Sequence, residues 1–420
     1  MTVGKYVLKC RVCGHEEEDS TQPVCEECFG PLKAVFDIEK AKETLSKQSI
    51  KERPRTLWRY QELLPVKDKS KIVELNAGFT PLFKANQLGK ELGLKNLFIK
   101  NDSVNPSFSF KDRPVATGIV RARELGKKVL SCASTGNLAA STAAYAAKAG
   151  MKCVVFVPNS IEENKISQAL AYGAKVLAVD GNYDVANRLA NEAADAFDWA
   201  ALNVNIRPWY AEGEKTLLFE TFEQLNWTAP DCVVFPMGSG GLLCEAFKAL
   251  EESKQTGFLE DNAKTRFFGA QGQGAAPIVT AFKENAEIKP LKTLNTIAKS
   301  IAMGAPGDGE PALKIIKETN GNAEDPTNTE IINAISLLAK TEGVFTEPAG
   351  GAALAALKRF VEKGAIQEDE KVVLYITGNG LKTPEIVSKA HRLIPVKASI
   401  TNVQKEISRL QPSVAPATLA

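Results

Sequence analysis

Short apolar runs alternate along most of the chain with stretches in which hydrophobic residues recur at helical spacing. The apolar runs predict β-strands at residues 96–100, 128–132, 152–157, 175–179, 232–236, 267–271 and 371–376. The intervening stretches predict helices, among them 115–125, 159–172 and 184–197. Strands that alternate with helices at this spacing form parallel sheets with helices on both faces. The pattern therefore predicts an α/β fold.

Polar, glycine-containing loops follow three of the predicted strands, at residues 133–137, 237–242 and 377–380. In open α/β sheets, ligands bind at the carboxyl ends of the strands. A fourth segment, residues 105–114, follows the strand at 96–100 within a few residues. We expect the candidate site where these four segments meet.

Lys111 is the candidate reactive group of the fourth segment. It lies between Phe108 and Phe110 on one side and Asp112 and Arg113 on the other. Partial burial by the aromatic rings and the nearby guanidinium would both lower the pKa of Lys111, which favours a nucleophilic amine. Such an amine suits Schiff-base chemistry. The alternative is a surface lysine at a helix start, paired with Asp112.

The glycine-rich loop at Gly238, Ser239, Gly240 and Gly241 predicts an anion site. It joins a strand to a helix N-terminus, where bare backbone amides and the helix dipole attract negative charge. The loop matches neither the nucleotide P-loop nor the dinucleotide motif, so a single phosphate fits better than a di- or triphosphate. A tight structural turn is the alternative.

Hydroxyl and amide side chains mark the other two loops. Ser134, Thr135 and Asn137 either cap the following helix or hold a carboxylate, with Asn137 bonding a ring oxygen. Thr377 offers one hydroxyl after a strand. If the bound ligand contains a pyridine ring, a hydroxyl facing its nitrogen leaves that nitrogen largely unprotonated, because no carboxylate holds the proton there.

The first 34 residues predict a separate small module with a metal site. Cys10, Cys13, Cys25 and Cys28 form two Cys-x-x-Cys knuckles, whose four thiolates can converge tetrahedrally on one ion. Zinc is favoured and iron is second. A closed four-sulfur shell predicts a structural ion that the module needs to fold, with His15 a bystander. The other cysteines, Cys132, Cys153, Cys232 and Cys244, are expected to pack in the core.

Composition, net charge and the number of histidines argue against several classes of function. The chain has 420 residues, of which 44% are hydrophobic and 24% charged, and a net charge of +2. These values predict a globular protein of two or three domains that binds neither nucleic acid nor membrane, and we expect it in the cytoplasm. Two histidines, His15 and His391, argue against a histidine-ligated zinc hydrolase and a Ser-His-Asp triad. A cofactor is therefore expected to carry the chemistry.

Taken together, the four segments resemble the fold-type-II pyridoxal-phosphate enzymes over roughly residues 70–390. Ser109-Phe110-Lys111-Asp112-Arg113 is similar to the family's cofactor-lysine motif. The loop at 133–137 resembles its substrate-carboxylate loop, 238–242 its phosphate loop and 377–382 its C-terminal motif. Longer runs at 165–176, 179–184, 212–216 and 343–349 resemble the threonine synthases within the family.

This resemblance implies a cofactor, a reaction and a set of site residues. Lys111 would bind pyridoxal 5'-phosphate, whose phosphate would rest on Gly238, Ser239, Gly240, Gly241 and Leu242, with Asn137 and Thr377 at the ring. Ser134 and Thr135 would contact the substrate. Arg113 and Lys215 are the candidate cations for its phosphate, although either one could be a structural pair. The implied reaction converts O-phospho-L-homoserine and water to L-threonine and phosphate, in a homodimer.

Two alternatives stay open: another fold-type-II enzyme, such as a serine/threonine dehydratase or a β-replacement synthase, and a non-enzymatic zinc-ribbon protein that binds a ligand or nucleic acid. The chain departs from the family pattern at Phe108, Pro114, Tyr210 and Ser239.

The resemblance also implies two open parallel-sheet domains, similar to the tryptophan synthase β subunit, beside the small N-terminal zinc ribbon. The predicted boundaries are 1–34 for the ribbon, 35–112 with 208–398 for the larger cofactor-binding domain, and 113–207 for the smaller domain. Residues 399–420 are predicted to be a loosely held tail.

Overall fold

A computed structural model describes residues 4–18, 20–134, 136–159, 161, 163–181, 183–388 and 394–410. The chain forms two compact units, Met1–Thr383 and Pro384–Ala420. Thr135 and His391, both considered above, lie outside the described residues. Among the described residues, no helix is long and apolar enough to cross a lipid bilayer.

Thirteen strands are present in the part of the chain that the structure describes. They are β1 Tyr6–Cys10, β2 Glu16–Glu17, β3 Leu32–Phe36, β4 Leu82–Lys84, β5 Asn96–Asn101, β6 Val129–Ala133, β7 Lys152–Pro158, β8 Lys175–Val179, β9 Ala200–Ala201, β10 Cys232–Pro236, β11 Arg266–Ala270, β12 Asn322–Glu324 and β13 Lys371–Ile376.

The helices of the first unit lie between and around these strands. They are α1 Ile38–Lys42, α2 Lys47–Glu52, α3 Asn86–Leu92, α4 Asp112–Glu124, α5 Asn137–Lys148, α6 Glu163–Ala171, α7 Tyr183–Phe197, α8 Arg207–Ala211, α9 Thr216–Gln224, α10 Gly241–Gln255, α11 Pro277–Glu284, α12 Gly309–Glu318, α13 Asn328–Glu342 and α14 Pro348–Glu362. Short 3-10 helices occur at Leu57–Leu63, Lys69–Lys71, Asp102–Val104, Lys299–Ile301 and Gly380–Lys382. The second unit contains α15 Glu385–Ser388 and α16 Ile400–Leu410.

Three sheets organise the first unit. A six-stranded sheet has the order β12-β11-β10-β13-β5-β4 and is parallel except for β4, which runs antiparallel to β5. A four-stranded parallel sheet has the order β8-β7-β6-β9. A small antiparallel sheet, β2-β1-β3, forms the N-terminal module. The predicted α/β fold with parallel sheets is confirmed, while the domain boundaries stay a prediction.

The parallel strands read as continuous apolar runs because both of their faces are covered. Every residue of β10 is buried, and so are the last five residues of β13. A strand buried on both faces has no solvent side, and a parallel sheet covered by helices produces this pattern. The strands β5, β6, β10 and β13 therefore end inside the molecule, next to the four segments that the sequence singles out.

Most predicted elements appear within a few residues of their expected limits. Strands β8, β10 and β13 begin and end where predicted, and β6 is displaced by one residue toward the C-terminus. Helix α6, Glu163–Ala171, is shorter than the predicted 159–172. Helix α16 lies inside the segment 399–420, and the expectation that this segment is a loosely held tail stays a prediction.

Candidate active site

The four singled-out segments meet at one large cavity of about 1920 Å³. Lys111, Ser134, Asn137, Thr377 and the loop 238–242 all line it. The reason is topological. Strands β5, β6, β10 and β13 belong to parallel sheets, and the loops at their carboxyl ends converge.

The lysine loop is fixed by backbone contacts to the end of β13. Ser109 pairs with Gly378 in an isolated β-bridge, and the Phe110 N–H donates to the Thr377 carbonyl oxygen at 2.9 Å. Phe108 has a φ of 64°, in the left-handed region that disfavours a side chain. This bend turns the chain so that Lys111 stands at the start of α4, facing the cavity.

Asp112 does not pair with Lys111, so the surface-pair alternative is wrong. Asp112 is fully buried, and its carboxylate accepts from the Ser107 N–H and from the Ser141 hydroxyl, both at 2.6 Å. The partner of Lys111 is Glu214, whose Oε1 lies 3.1 Å from the lysine Nζ. The Phe110 ring centre is 4.4 Å from the same Nζ.

The expected lowering of the Lys111 pKa is also wrong in this structure. Burial does act to lower the pKa of Lys111, but Glu214 and then Tyr210 more than offset burial, so the pKa lies above its ordinary value. Arg113 is not among the main influences on the pKa of Lys111, and its guanidinium pairs with Asp102 and Glu220 instead. Burial in turn raises the pKa of Tyr210 to about 12.

The glycine-rich loop provides a cradle for an anion at the N-terminus of α10. The chain leaves β10 at Pro236, and α10 begins at Gly241. Gly240 has a φ of 92°, and a β-carbon there would lie 2.7 Å from the Asp308 carbonyl oxygen. Only glycine fits this close approach without displacing backbone. The bare backbone and the helix dipole suit a phosphate group, so the residues present fit pyridoxal phosphate.

Ser134 and Asn137 take different roles in the loop after β6. The Ser134 hydroxyl accepts from the N–H groups of Gly136 and Ala139, at 3.1 and 3.0 Å, which is the helix-capping behaviour considered above. The Asn137 amide donates to both carboxylate oxygens of Glu347, at 2.9 and 3.0 Å. Burial raises the pKa of Glu347, although the amide opposes this.

A second, smaller cavity of about 40 Å³ adjoins Asn137. Three lysines line it: Lys165, Lys299 and Lys382. Glu347 also faces this cavity. Three lysine side chains beside one another make this cavity a candidate for an anionic group.

Arg113 and Lys215, the predicted cations for the substrate phosphate, are instead part of the protein interior. Arg113 is fully buried, with its Nε 2.6 Å from Asp102 and its Nη1 2.5 Å from Glu220. Lys215 is fully buried as well, 2.7 Å from Glu212. Neither residue lines either cavity. A long side chain committed to buried carboxylates cannot reach a substrate, so we withdraw both as substrate contacts.

The sequence does not predict the roles of several cavity residues. Glu214 and Tyr210 stand within the run around Arg207–Lys215, but nothing in that run says which side chains face Lys111. Arg207 pairs with Asp308, and Arg11 pairs with the same carboxylate at 2.9 Å. Arg11 and Asp308 are 297 residues apart in the chain, and a contact at that separation is visible only in the folded molecule.

The four predicted cysteine ligands lie together. The sulfur atoms of Cys10, Cys13, Cys25 and Cys28 are all within 4.8 Å of one another. N–H groups of Cys13 and Val12 lower the pKa of Cys10 to about 6, against the opposing effect of burial, and a thiolate is the form that ligates metal. Four sulfurs at this separation fit one tetrahedral ion.

Comparison with known proteins places this geometry in context. The sequence model of the pyridoxal-phosphate dependent enzyme family matches residues 73–378. A threonine synthase of Methanocaldococcus jannaschii is 43% identical over 403 residues, covering 95% of this chain and 98% of the relative. A threonine synthase of Methanosarcina acetivorans is 38% identical over 385 residues, covering 91% of this chain and 93% of the relative.

Solved structures share the fold at low identity. Maize serine racemase superposes with a TM-score of 0.62 at 20% identity, over 74% of this chain and 91% of that one. Threonine deaminase isoform 2 from Solanum lycopersicum gives a TM-score of 0.62 at 23% identity, over 75% of this chain and 88% of that one. At these identities the likeness concerns the fold alone.

Proposed function

This chain belongs to the pyridoxal-phosphate dependent enzymes, and we propose that within this family it is a threonine synthase, a lyase that converts O-phospho-L-homoserine and water to L-threonine and phosphate. The observation that carries the proposal is 43% identity to a threonine synthase over 95% of this chain and 98% of that relative. The convergence of Lys111, the glycine-rich loop and Thr377 on one cavity supports it.

We assign the cofactor to residues of the large cavity. Lys111 would hold it covalently, Gly238, Ser239, Gly240, Gly241 and Leu242 its phosphate, and Asn137 and Thr377 its ring. When bound, pyridoxal phosphate supplies an electron sink for the negative charge left by proton removal. In this proposal, the side chains of the protein bind the substrate and transfer its protons.

Lys111 is the proton carrier in this proposal. As a neutral amine, its Nζ takes the α proton of the substrate, gives that proton up, and then takes a β proton. The protons return to the substrate at Cα and Cγ, because threonine carries a hydrogen at Cα and a methyl group at Cγ. Glu214, 3.1 Å away, gives the ammonium form an ion-pair partner after each transfer. The Phe110 ring beside Nζ keeps water from one side of the amine.

The leaving phosphate needs a cation, and the small cavity offers three. Lys165, Lys299 and Lys382 line it next to Asn137. We propose that they receive the phosphate end of the substrate, in place of the two cations that the sequence suggested. Ser134 and Thr135 are kept as candidate contacts for the substrate carboxylate, with Thr135 outside the described residues.

The N-terminal cysteines support a second assignment. We propose that Cys10, Cys13, Cys25 and Cys28 hold one structural Zn²⁺, because their sulfurs are close enough for a closed tetrahedral shell. The family resemblance further implies a homodimer in the cytoplasm, which light scattering and cell fractionation test.

Reduction of the purified holoenzyme tests the cofactor assignment. Borohydride fixes the cofactor to its lysine, and peptide mass spectrometry is expected to find the adduct on Lys111. Lys111→Ala is expected to lower threonine formation by about 10²–10⁴-fold or more, because the proton carrier is lost. Lys95→Ala, at an exposed ion pair with Glu368, is the matched control and is expected to be fully active.

The reaction products distinguish a threonine synthase from a dehydratase. Phosphate and threonine formed from O-phosphohomoserine support the proposal. Release of 2-oxobutanoate from threonine, without turnover of O-phosphohomoserine, would identify a dehydratase instead. An adduct on another lysine would overturn the assignment of the cavity residues.

A further inference from the structure

The first cysteine knuckle presents an arginine to the large cavity. Arg11 stands between Cys10 and Cys13, and its N–H donates to the Pro31 carbonyl oxygen at 3.0 Å. The Cys10 sulfur accepts from the N–H groups of Val12 and Cys13, at 3.4 and 3.5 Å. The backbone around Arg11 is therefore shaped by the same contacts that gather the cysteine sulfurs, while its side chain lines the cavity.

Asp308 receives this side chain. Arg11 Nη1 donates to Asp308 Oδ1 at 2.9 Å, and Arg207 Nη2 donates to Oδ2. The Asp308 side chain is only 5% exposed, so both guanidinium groups hold a carboxylate that is nearly removed from water. Charge-assisted bonds to such a group are stronger than neutral ones and fix its orientation.

Asp308 is also a structural neighbour of the glycine-rich loop. Its N–H donates to the Ser239 carbonyl oxygen at 2.9 Å. Its own carbonyl oxygen lies where a β-carbon at Gly240 would come within 2.7 Å, and Oδ2 is 3.1 Å from the corresponding position at Gly241. A displacement of Asp308 therefore displaces the loop, because the two backbones are in contact.

Helix α8 provides a second connection from the same module. Trp209 Nε1 donates to the Tyr6 hydroxyl of β1 at 3.0 Å. Arg207, two residues earlier on the helix, holds Asp308, and Tyr210, one residue later, faces Lys111 with its ring centre 5.6 Å from Nζ. The N-terminal module thus contains one partner of Asp308 and contacts the helix that carries the other.

We propose that Arg11 is a positioning residue that couples the metal-bound state of the four cysteines to the affinity of the Gly238–Leu242 loop for the cofactor phosphate. Metal binding fixes the knuckle, the knuckle fixes Arg11, and Arg11 with Asp308 holds the loop in its anion-binding shape. This inference rests on the proposed assignment of that loop to the cofactor phosphate.

The test measures pyridoxal phosphate binding by the full-length protein, without substrate. Arg11→Ala is expected to raise the dissociation constant about fivefold to tenfold, since one charge-assisted hydrogen bond is lost. Arg11→Lys is expected to recover most of the affinity, because it restores a cation opposite Asp308. Lys9→Ala, at an exposed ion pair with Glu16 in the same module, is the matched control and is expected to bind as wild type.

Two further measurements separate positioning from general damage. Elemental analysis is expected to find full metal content in Arg11→Ala. The ³¹P resonance of the bound cofactor is expected to move in Arg11→Ala and not in Lys9→Ala. Chelation of the metal from the wild type is expected to raise the dissociation constant by at least the factor seen for Arg11→Ala, because the module needs the ion to fold. In Arg11→Ala itself, chelation is expected to raise it by a smaller factor.

The outcomes are distinguishable. An Arg11→Ala protein that binds the cofactor as wild type does, or one that loses its metal, overturns the coupling and leaves the proposed function intact. A wild-type protein that does not bind pyridoxal phosphate overturns the proposed function itself. Asp308→Asn is expected to weaken binding, and adding Arg11→Ala to it is expected to have little further effect. Additive losses would also overturn the coupling.

Discussion

Glu214 controls the proton affinity of Lys111. Its carboxylate lies 3.1 Å from Nζ, and together with Tyr210 it raises the pKa of Lys111 despite burial. The amine must lose a proton before it can attack an aldehyde, so a raised pKa slows capture of the cofactor at neutral pH. In the proposed reaction, Glu214 therefore stabilises the ammonium form of Lys111 after proton transfer but opposes the initial attachment of the cofactor.

Glu214→Gln is expected to lower the pKa of Lys111, because the nearest negative charge is removed. Cofactor capture by the cofactor-free protein, followed by stopped-flow absorbance, is expected to be severalfold faster at pH 7. The rise of its rate with pH is expected to shift toward lower pH. An unchanged pH profile would mean that Glu214 does not set the proton affinity of Lys111.

At the scale of elements, the junction between β10 and α10 depends on backbone proximity. Gly240 combines a left-handed φ of 92° with a position at which an added β-carbon would clash with the Asp308 carbonyl oxygen. Gly257, just after α10, has a similar φ of 75°, and no atom lies within 4 Å of the position that a β-carbon would take there. A side chain at Gly257 would therefore meet only the cost of the left-handed backbone, whereas one at Gly240 would also meet a steric clash.

Gly257→Ala is expected to lower the free energy of unfolding by about 1–2 kcal/mol through left-handed strain alone, with cofactor affinity unchanged. Gly240→Ala is expected to lose more stability and also cofactor affinity, because its β-carbon must push Asp308 away. Urea unfolding and cofactor titration of both variants check this. Equal losses of stability and of cofactor affinity in the two variants would mean that the closeness of Asp308 to Gly240 has no role.

At the scale of the whole molecule, a buried ionic network joins parts distant in the sequence. Arg113 on α4 bonds Asp102 and Glu220, and Lys100 on β5 donates to Glu220 at 2.7 Å. All four side chains are fully buried. Burial raises the pKa of Glu220, but Arg113 and Lys100 outweigh burial and lower it to about 2.

This network predicts the response to acid. Because the folded pKa of Glu220 is about 2 and its ordinary value is 4.5, its stabilisation is complete above pH 4.5 and is lost as the pH falls toward 2. Glu220→Gln is expected to cost about 3–5 kcal/mol at pH 7, since buried Lys100 loses its carboxylate partner and Arg113 loses one of two. It is also expected to flatten the loss of stability below pH 4.5.

Urea unfolding between pH 7 and pH 3 measures both effects of this change. Arg188→Gln, at the exposed Arg188–Glu192 pair, is the control and is expected to change stability by less than about 0.5 kcal/mol. A Glu220→Gln protein with wild-type acid sensitivity would contradict the network's role.

The sequence by itself determined the α/β class, the buried strands, the four loops and the cysteine knuckles. Each of these is a local pattern: apolar runs, glycines at strand ends, and pairs of thiols with two residues between them. Such patterns are readable because neighbouring residues alone decide them. The motif around Lys111 was equally readable.

Only the tertiary structure decided which charges face which. The sequence places Asp112 and Arg113 beside Lys111, yet α4 turns both into the interior and Glu214 becomes the lysine's partner. The direction of the Lys111 pKa, the burial of Arg113 and Lys215, and the contact of Arg11 with Asp308 all follow from packing between distant segments. Electrostatic interactions depend on distance in space and on burial, and separation along the chain fixes neither.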